Sequence, residues 1–304
     1  MAKKLISFDD SKTGEAALPA SVNAVLHNTY VRPTDTAITE KLSKTEAAGM
    51  YVRGVVSDTP PVSPTPGMVW FGPYAEPEPP VTLATVADLA ARWDADSLGA
   101  DGTAIPEFAP TSGTWTTKML APGAAPTVKA NAINGHKAVK FIAASSQYFD
   151  LDHPDVAGNT TIFAVFNLQT ELTGRVFTGI STANFRGLRA STTAGTMNMN
   201  SPGGYTFNTP WTPAAGWCVA ACVHAGQGNS KLYFNKLSPE TGNSGNQSTN
   251  PMTDLRFARG SAASTEYSNL ELADFSVVTR ACTDKEIKDI LGELATKYAL
   301  TLGA

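Results

Sequence analysis

Charged residues are scarce in this chain: Asp, Glu, Lys and Arg make up 16% of its 304 residues, against roughly 25% in a typical globular domain. The net charge is −4 and the sequence contains no basic cluster, which argues against nucleic acid or an anionic membrane surface as partners. No apolar run approaches the length of a membrane span. The first ten residues also lack the apolar core of a secretory signal. We therefore expect a protein that folds in a cytoplasm and has no membrane partner.

Cysteine is nearly absent as well, with only Cys218, Cys222 and Cys282 in the whole chain. Cys218 and Cys222 fall in one expected strand, about 13 Å apart at the usual rise per residue, too far to form a disulfide. We interpret all three as small buried apolar residues. They lack the spacing of a metal site, and no metal or cofactor is predicted. A low-charge surface rich in small polar residues is typical of extracellular and virion β proteins. Because such a surface is combined here with no expected disulfide and no secretory signal, we predict a protein that folds in a cytoplasm and is released by lysis.

Short apolar runs separated by Gly, Asn, Pro and Ser clusters fill the chain from about residue 138 to residue 278. This spacing is typical of a sandwich or jelly roll. The predicted strands are Ala138–Phe141, Gln147–Leu151, Thr161–Leu168, Arg175–Ile180, Gly187–Ala190, Thr196–Asn200, Tyr205–Phe207, Gly216–His224, Lys231–Asn235, Leu255–Ala258 and Leu270–Val278.

One strongly marked helix follows the last strand. Thr283 and Glu286 have the spacing of a capping box, in which each side chain satisfies a backbone N–H of the first turn. The side chains at helical spacing after them form a single apolar stripe, which predicts packing against a sheet; they are Ile287, Ile290, Leu291, Leu294 and Tyr298. Two favourable i,i+4 ion pairs are expected on the other side, Asp284 with Lys288 and Glu293 with Lys297.

Two of the predicted strands, Thr161–Leu168 and Gly216–His224, are apolar on both faces. A strand in a β-sandwich normally has one face in the core and one face exposed to solvent. The pattern therefore predicts a second cover over these strands: the terminal helix, the segment Val81–Trp93, or a neighbouring subunit.

The first eighty residues differ in composition from the rest. Residues 1–56 are predicted to form an attachment and oligomerisation region, residues 57–80 a proline-rich linker, and residues 81–304 the β domain. Proline stiffens the linker and blocks regular structure in it. Within it lies a short apolar strand, Val69, Trp70 and Phe71, which is costly to expose. We expect this strand to dock on the same domain or on another subunit.

Several segments of the β domain, in order and at the right spacing, resemble laminin-G-like, concanavalin A-like jelly rolls of phage and bacterial surface proteins. The resemblance covers roughly residues 85–300. The segments that carry it are Leu89-Ala-Ala-Arg-Trp-Asp-Ala-Asp-Ser-Leu98, Ala125-Pro-Thr-Val-Lys129, Asn134-Gly-His-Lys-Ala-Val-Lys-Phe141, Gln147-Tyr-Phe-Asp-Leu151, Thr161-Ile-Phe-Ala-Val-Phe166 and the strand and helix that close the chain.

The N-terminal zone resembles the leader of actinobacteriophage minor tail or fibre proteins, through its proline-rich stretch and Pro66-Gly-Met-Val-Trp-Phe71. The resemblance implies an all-β fold: a concanavalin A-like jelly-roll sandwich with a C-terminal amphipathic helix, after an extended attachment region. It implies a phage virion structural protein, assembled as a homo-oligomer with the trimeric symmetry of such fibres. Other virion proteins would bind the N-terminal region, and host surface glycan would be the ligand of the jelly roll.

An enzymatic role is disfavoured, although concanavalin A-like folds include glycoside hydrolases. Those enzymes carry two carboxylates on one face of a strand, and the sequence has no such run. Glu271 and Asp274 are three residues apart, which in a regular strand places them on opposite faces. We interpret both as structural. Asp94, Asp96 and Asp101 suggest either a calcium loop, although not at EF-hand spacing, or turn stabilisation, which we favour. No catalytic residue is predicted.

Loop aromatics give the remaining functional signal. Sugars stack on aromatic rings and bind nearby polar groups, and such residues occur between Ser201 and Trp217. The candidate glycan contacts are Tyr205, Asn208, Trp211, Arg186 and Arg189. In the alternative interpretation, which we favour for these two residues, Trp211 and Tyr205 fill the sandwich edge. Capsid decoration or a head fibre with a purely architectural role is the alternative function, and a polysaccharide-degrading enzyme ranks third.

Overall fold

The structure is a computed structural model that describes residues 53–56, 68–71, 78–180, 186–191, 195–201, 205–226, 229–240, 251–260 and 265–303. The chain divides into two compact units, residues 1–79 and 80–304. Residues 1–52 of the predicted attachment region and most of the proline-rich linker lie outside the described residues.

In the first unit, two strands form a parallel pair. They are β1 (Arg53–Val56) and β2 (Met68–Phe71), with Arg53 opposite Met68 and Val56 opposite Phe71. The predicted docking strand, Val69 to Phe71, thus has a backbone partner within its own chain. Whether it also contacts another subunit remains a prediction.

Two antiparallel sheets of eight strands each build the second unit. Sheet I contains β3 (Leu89–Asp94), β5 (Ser112–Gly113), β7 (Thr127–Ile133), β8 (His136–Phe141), β10 (Thr160–Leu168), β15 (Cys218–His224), β16 (Lys231–Phe234) and β18 (Leu270–Val278). Sheet II contains β4 (Glu107–Phe108), β6 (Met119–Leu120), β9 (Phe149–Val156), β11 (Arg175–Gly179), β12 (Gly187–Ala190), β13 (Thr196–Ser201), β14 (Tyr205–Pro210) and β17 (Met252–Phe257). One α-helix, α1 (Asp284–Tyr298), follows β18.

The order of strands is β16-β15-β10-β18-β3-β5 in sheet I, with β8 paired to β18 and β7 to β8. In sheet II the order is β14-β13-β12-β11-β17-β9-β6-β4. The predicted fold class, an all-β sandwich closed by a C-terminal helix, is confirmed.

Every strand predicted from sequence is present, most with shifted ends, but β1 and the strands of the second unit before residue 136 were missed. The strand β3 contains two alanines, which are weak strand formers, and the half-buried β7 shows no clean alternation. The strand β9 continues past Leu151 through Pro154, where proline would ordinarily end a strand. A register shift against β17 at this point accommodates the proline.

Apolar side chains pack on both faces of sheet I. One core lies between the two sheets and includes Phe166 and Phe275. A second core lies on the opposite face of sheet I, where α1 and the segment containing Leu83 and Val86 cover Phe163. This arrangement confirms the second cover that the doubly apolar strands predicted.

The helix begins as its sequence indicates. The Thr283 side chain accepts a hydrogen bond from the Glu286 backbone N–H, and Glu286 accepts from the backbone N–H of Thr283. The five residues of the predicted apolar stripe are all buried. The predicted pair of Asp284 with Lys288 is confirmed only as a minor attraction: Lys231, at 2.6 Å, is the direct partner of Asp284 and the main cause of its lowered pKa, to which Lys288 adds. The predicted pair of Glu293 with Lys297 was wrong, because Lys297 binds Asp94 at 2.6 Å. The helix charges therefore hold α1 to the sheet, which a helical surface rule cannot anticipate.

All three cysteines are buried and free, as predicted. Within the described part of the chain, no helix has the length and apolar character to cross a membrane.

Candidate ligand-binding face

Sheet II presents a polar face on the side opposite its core. Strand alternation directs Leu188, Ala190, Met197, Met199 and Phe207 into the core between the sheets. The residues between them therefore project to the opposite side, which we call the outer face of sheet II. Within the described residues, no apolar cluster packs against this face, in contrast to sheet I.

Three polar residues from adjacent strands form a row across the outer face. Arg189 on β12 lies directly opposite Asn198 on β13, and Asn198 lies directly opposite Asn208 on β14. Directly opposed residues on one face of an antiparallel pair have Cβ atoms about 5 Å apart. Asn208 is exposed, Arg189 is half-buried and Asn198 is 5% exposed. We call these three residues the Arg189 row.

Of the five glycan contacts predicted from sequence, Arg189 and Asn208 thus lie in one row. Arg186 and Trp211 are instead buried inside the sandwich. Arg186 is 3% exposed, and its guanidinium donates to Thr160 Oγ1 and to the Gly158 carbonyl, both at 3.0 Å. Burial lowers its pKa to about 10. Arg186 lies three residues before Arg189. An odd separation in an extended chain places the two side chains on opposite faces, so Arg186 points across the sandwich.

Trp211 is 4% exposed and belongs to the core between the sheets. Its backbone N–H donates to the Gly195 carbonyl at 2.9 Å, fixing the chain after β14 against the edge of β13. The burial fits the alternative interpretation, in which Trp211 fills the sandwich edge, and leaves no ring face for a sugar. Tyr205 lies on β14, and its side chain falls outside the described residues.

A cluster of arginine and tyrosine lies further along the outer face, around β9 and β17. The Arg259 guanidinium carbon lies 4.6 Å from the Tyr148 ring centroid and 5.1 Å from that of Tyr267. Arg256 lies 5.1 Å from Tyr148 and binds Asp150 through two hydrogen bonds of 2.5 and 2.8 Å. The two tyrosine rings are 6.0 Å apart. Both tyrosines are half-buried, so part of each aromatic surface faces solvent.

Arg175 connects this cluster to the Arg189 row. It lies opposite Arg189 in the pairing of β11 with β12, and its Nη2 binds Glu266 at 2.9 Å. Burial lowers the pKa of Arg175, Arg189 lowers it further, and Glu266 opposes both. Burial also lowers the pKa of Arg189, again opposed by Glu266. Glu266 thus acts electrostatically on two neighbouring guanidinium groups.

A second concentration of charge lies between sheet I and α1. Arg92 donates two side-chain hydrogen bonds to the buried Asp274, and the Tyr298 hydroxyl lies 3.2 Å from the same carboxylate. Burial raises the pKa of Asp274, although the hydrogen bonds from Arg92 oppose this. The network joins β3, β18 and the end of the helix, so we assign it to helix docking.

The prediction that Glu271 and Asp274 lie on opposite faces was wrong. A bulge in β18 leaves Ala273 without a partner where the register passes from Val165–Asp274 to Phe166–Leu272. The extra residue breaks the alternation of two, so both carboxylates lie on the helix side of sheet I. Each has a cationic partner, Lys129 for Glu271 and Arg92 for Asp274, which agrees with their structural interpretation.

Of the three carboxylates predicted to stabilise turns, Asp94 caps the short turn after β3, whereas Asp96 and Asp101 bind the backbone of distant strands, β8 and β7. Asp94 accepts from the Asp96 backbone N–H at 3.1 Å, Asp96 accepts from the Lys137 backbone N–H at 2.9 Å, and Asp101 accepts from the Ala130 backbone N–H at 2.7 Å.

Sequence reasoning missed most of the outer face, although one signal was present. The run Thr196-Met-Asn-Met-Asn200 alternates apolar and amide side chains, which places Asn198 opposite the core. Tyr148, Arg256 and Tyr267 carry no comparable signal. They come from separate segments, and only the pairing of β9 with β17 and the bridge between Arg259 and Tyr267 bring them together.

No protein family and no curated protein matches this chain. Solved structures of similar fold are found among botulinum neurotoxin binding domains. The serotype D ligand binding domain in complex with N-acetylneuraminic acid has a TM-score of 0.51 at 12% identity, over 69% of this chain and 52% of that one. The serotype DC binding domain in complex with rat synaptotagmin II has a TM-score of 0.50 at 11% identity, over 68% and 52% of the two chains.

A further similar structure belongs to botulinum neurotoxin type C, whose cell entry is described as dependent upon interaction with two ganglioside molecules. Its TM-score is 0.51 at 11% identity, over 68% of this chain and 51% of that one. At such identities the likeness establishes the fold alone. The matched region spans about half of each toxin domain, so the ligands of the whole domains are not thereby assigned to that half. The fold defines this chain as a jelly-roll β-sandwich.

Proposed function

We propose that this chain is a phage virion structural protein, of the minor tail or fibre type, whose jelly roll binds host surface glycan through the outer face of sheet II. The observation that carries the glycan proposal is the outer face itself. It places two half-buried tyrosines and an exposed asparagine among arginines, on a rigid sheet that has no apolar cover within the described residues.

The chemistry of this face suits a saccharide. Tyrosine offers a flat apolar ring for the C–H face of a sugar, and arginine and asparagine offer hydrogen bonds to its hydroxyls. The Tyr267 ring contacts Arg259 and Tyr148, and the residue is half-buried, so its remaining exposed surface is where a sugar would pack. The similar structures, in complex with a sialic acid and dependent on gangliosides, support a glycan-binding role for a sandwich of this type.

The virion part of the proposal rests on the resemblance of the N-terminal zone and of the jelly-roll motifs to phage proteins. It carries the expectation of a trimer held through residues 1–80 and docked on other virion proteins. A non-enzymatic role agrees with the similar structures, which are binding domains.

A glycan array with the full chain tests the binding proposal, comparing wild type with Tyr267→Ala. We expect the variant to bind at least tenfold more weakly, about 1.4 kcal/mol, with a melting temperature within a few degrees of wild type. Leu172→Ala is the matched control, because Leu172 is a half-exposed apolar residue in the turn between β10 and β11. Equal binding by wild type and Tyr267→Ala would contradict the assignment of this face.

Antibody labelling of assembled particles tests the virion proposal. Label at the tail tip or along a fibre agrees with it. Label on the capsid surface, together with an absence of glycan binding, would favour the architectural alternative of capsid decoration.

A further inference from the structure

We propose that the Arg189 row is a subsite for the carboxylate of an acidic sugar, an inference that rests on the proposed glycan-binding function and specifies its ligand class.

The first argument is an incomplete set of hydrogen bonds. The Asn198 side chain is 5% exposed, yet its Oδ1 accepts no hydrogen bond. The adjacent Arg189 Nε is also buried and donates none. Buried polar atoms are normally paired, because an unpaired one costs about 1–3 kcal/mol. The orphan acceptor and the orphan donor stand on directly opposed residues, and we take them as the polar groups that a ligand would pair.

The second argument is charge. Arg175 and Arg189 are direct cross-strand neighbours, and like charges in that position repel. The Glu266 carboxylate lies 2.9 Å from Arg175 and attracts both arginines. A ligand carboxylate that binds Arg189 would offset this repulsion and part of the cost of burying the Arg189 guanidinium.

The third argument is geometry. A planar guanidinium binds a carboxylate through two parallel hydrogen bonds, and Nε supplies one of the two donors on one edge of Arg189. Asn198 Oδ1 beside it can accept from a sugar hydroxyl, and the exposed Asn208 amide extends the row towards solvent. A hydroxylated carboxylic acid can pair with all of these groups, whereas a neutral sugar brings no negative charge to the Arg189 guanidinium.

The test is an array of paired saccharides, each present with a free carboxylate and as its methyl ester, probed with the full chain. We expect wild type to bind at least one free acid tenfold or more tightly than the ester. Binding to the acid should weaken as salt is raised. Arg189→Gln should remove this preference, and Lys140→Gln should keep it, because Lys140 is an exposed cation on sheet I.

Asn198→Asp separates ligand recognition from folding. The new carboxylate would pair with Arg189 internally, so the melting temperature should stay equal or rise while binding to the free acid falls at least tenfold. Retention of acid binding in this variant would overturn the proposal.

The outcomes distinguish the subsite from the wider function. Equal binding to acid and ester, with no effect of Arg189→Gln, overturns the acidic-sugar subsite and leaves glycan binding intact. Binding to poly(glycerol phosphate) but to no carboxylate overturns the choice of carboxylate over phosphate. No binding to any saccharide overturns both proposals.

Discussion

Replacement of Trp211 by alanine distinguishes a core residue from a glycan contact. Trp211 is 4% exposed in the core between the sheets, and truncation of a buried aromatic to alanine typically costs about 3–5 kcal/mol. In a domain of this size, 1 kcal/mol shifts the melting temperature by about 2–4 °C. The expected shift for Trp211→Ala is therefore about 6–20 °C. Glycan binding per folded molecule should not change.

The assay is a thermal melt for the melting temperature and a urea melt for the free energy of unfolding, together with glycan binding measured well below the unfolding midpoint. Trp211→Phe should lose less stability, because it keeps an aromatic ring in the site. Asn208→Ala, on the preceding strand, should lose less than about 0.5 kcal/mol, because Asn208 is exposed. An unchanged melt for Trp211→Ala with binding reduced tenfold would refute the assignment of Trp211 to the core.

Three further predictions concern the fold and assembly. Phe166→Ala should destabilise by about 3–5 kcal/mol, because Phe166 is fully buried; a loss below about 1 kcal/mol in a denaturant melt would contradict its place in the core. Hydrogen bonding to Arg280 lowers the pKa of Glu286 to about 2, so its charge stabilises the fold above the unfolded pKa near 4.5, and this contribution is lost as the pH falls through the folded value. The stability deficit of Glu286→Gln in urea melts should therefore be constant near pH 7 and shrink between about pH 4.5 and 2; a pH-independent deficit would contradict the ion pair. Deletion of residues 1–80 should leave a folded domain of lower oligomeric state, whereas light scattering that shows an unchanged oligomer would place the interface in the jelly roll.

Local signals in the sequence predicted the elements whose stabilising contacts are also local. The capping box of Thr283 and Glu286 and the apolar stripe of α1 lie within one segment, so the helix was placed correctly. The strands β10 and β15 are apolar on both faces, and this pattern likewise predicted the second apolar layer that α1 forms over sheet I.

Predictions failed where long-range pairing determines the direction of a side chain. The bulge at Ala273 in β18 places Glu271 and Asp274 on one face, and no local pattern indicates a bulge there. The helix charges illustrate the same limit, since Lys297 binds Asp94 from a distant strand rather than its helical neighbour.

The candidate site was predicted only in part for the same reason. Proximity in sequence grouped Arg186 with Arg189 and Asn208 with Trp211. In the structure Arg186 and Trp211 are buried inside the sandwich. The other members meet across Asn198 because β12, β13 and β14 are neighbours in sheet II. Assigning the site therefore requires the register of the strands as well as the residue types.

The most direct test of the central claim is the affinity of the full chain for a glycan selected on the array, measured for wild type and for the double variant Arg189→Gln/Tyr267→Ala. Our account predicts saturable binding by wild type and a loss of at least tenfold in the double variant, at an unchanged folded fraction. Equal affinities for the two proteins would contradict a binding site on the outer face of sheet II.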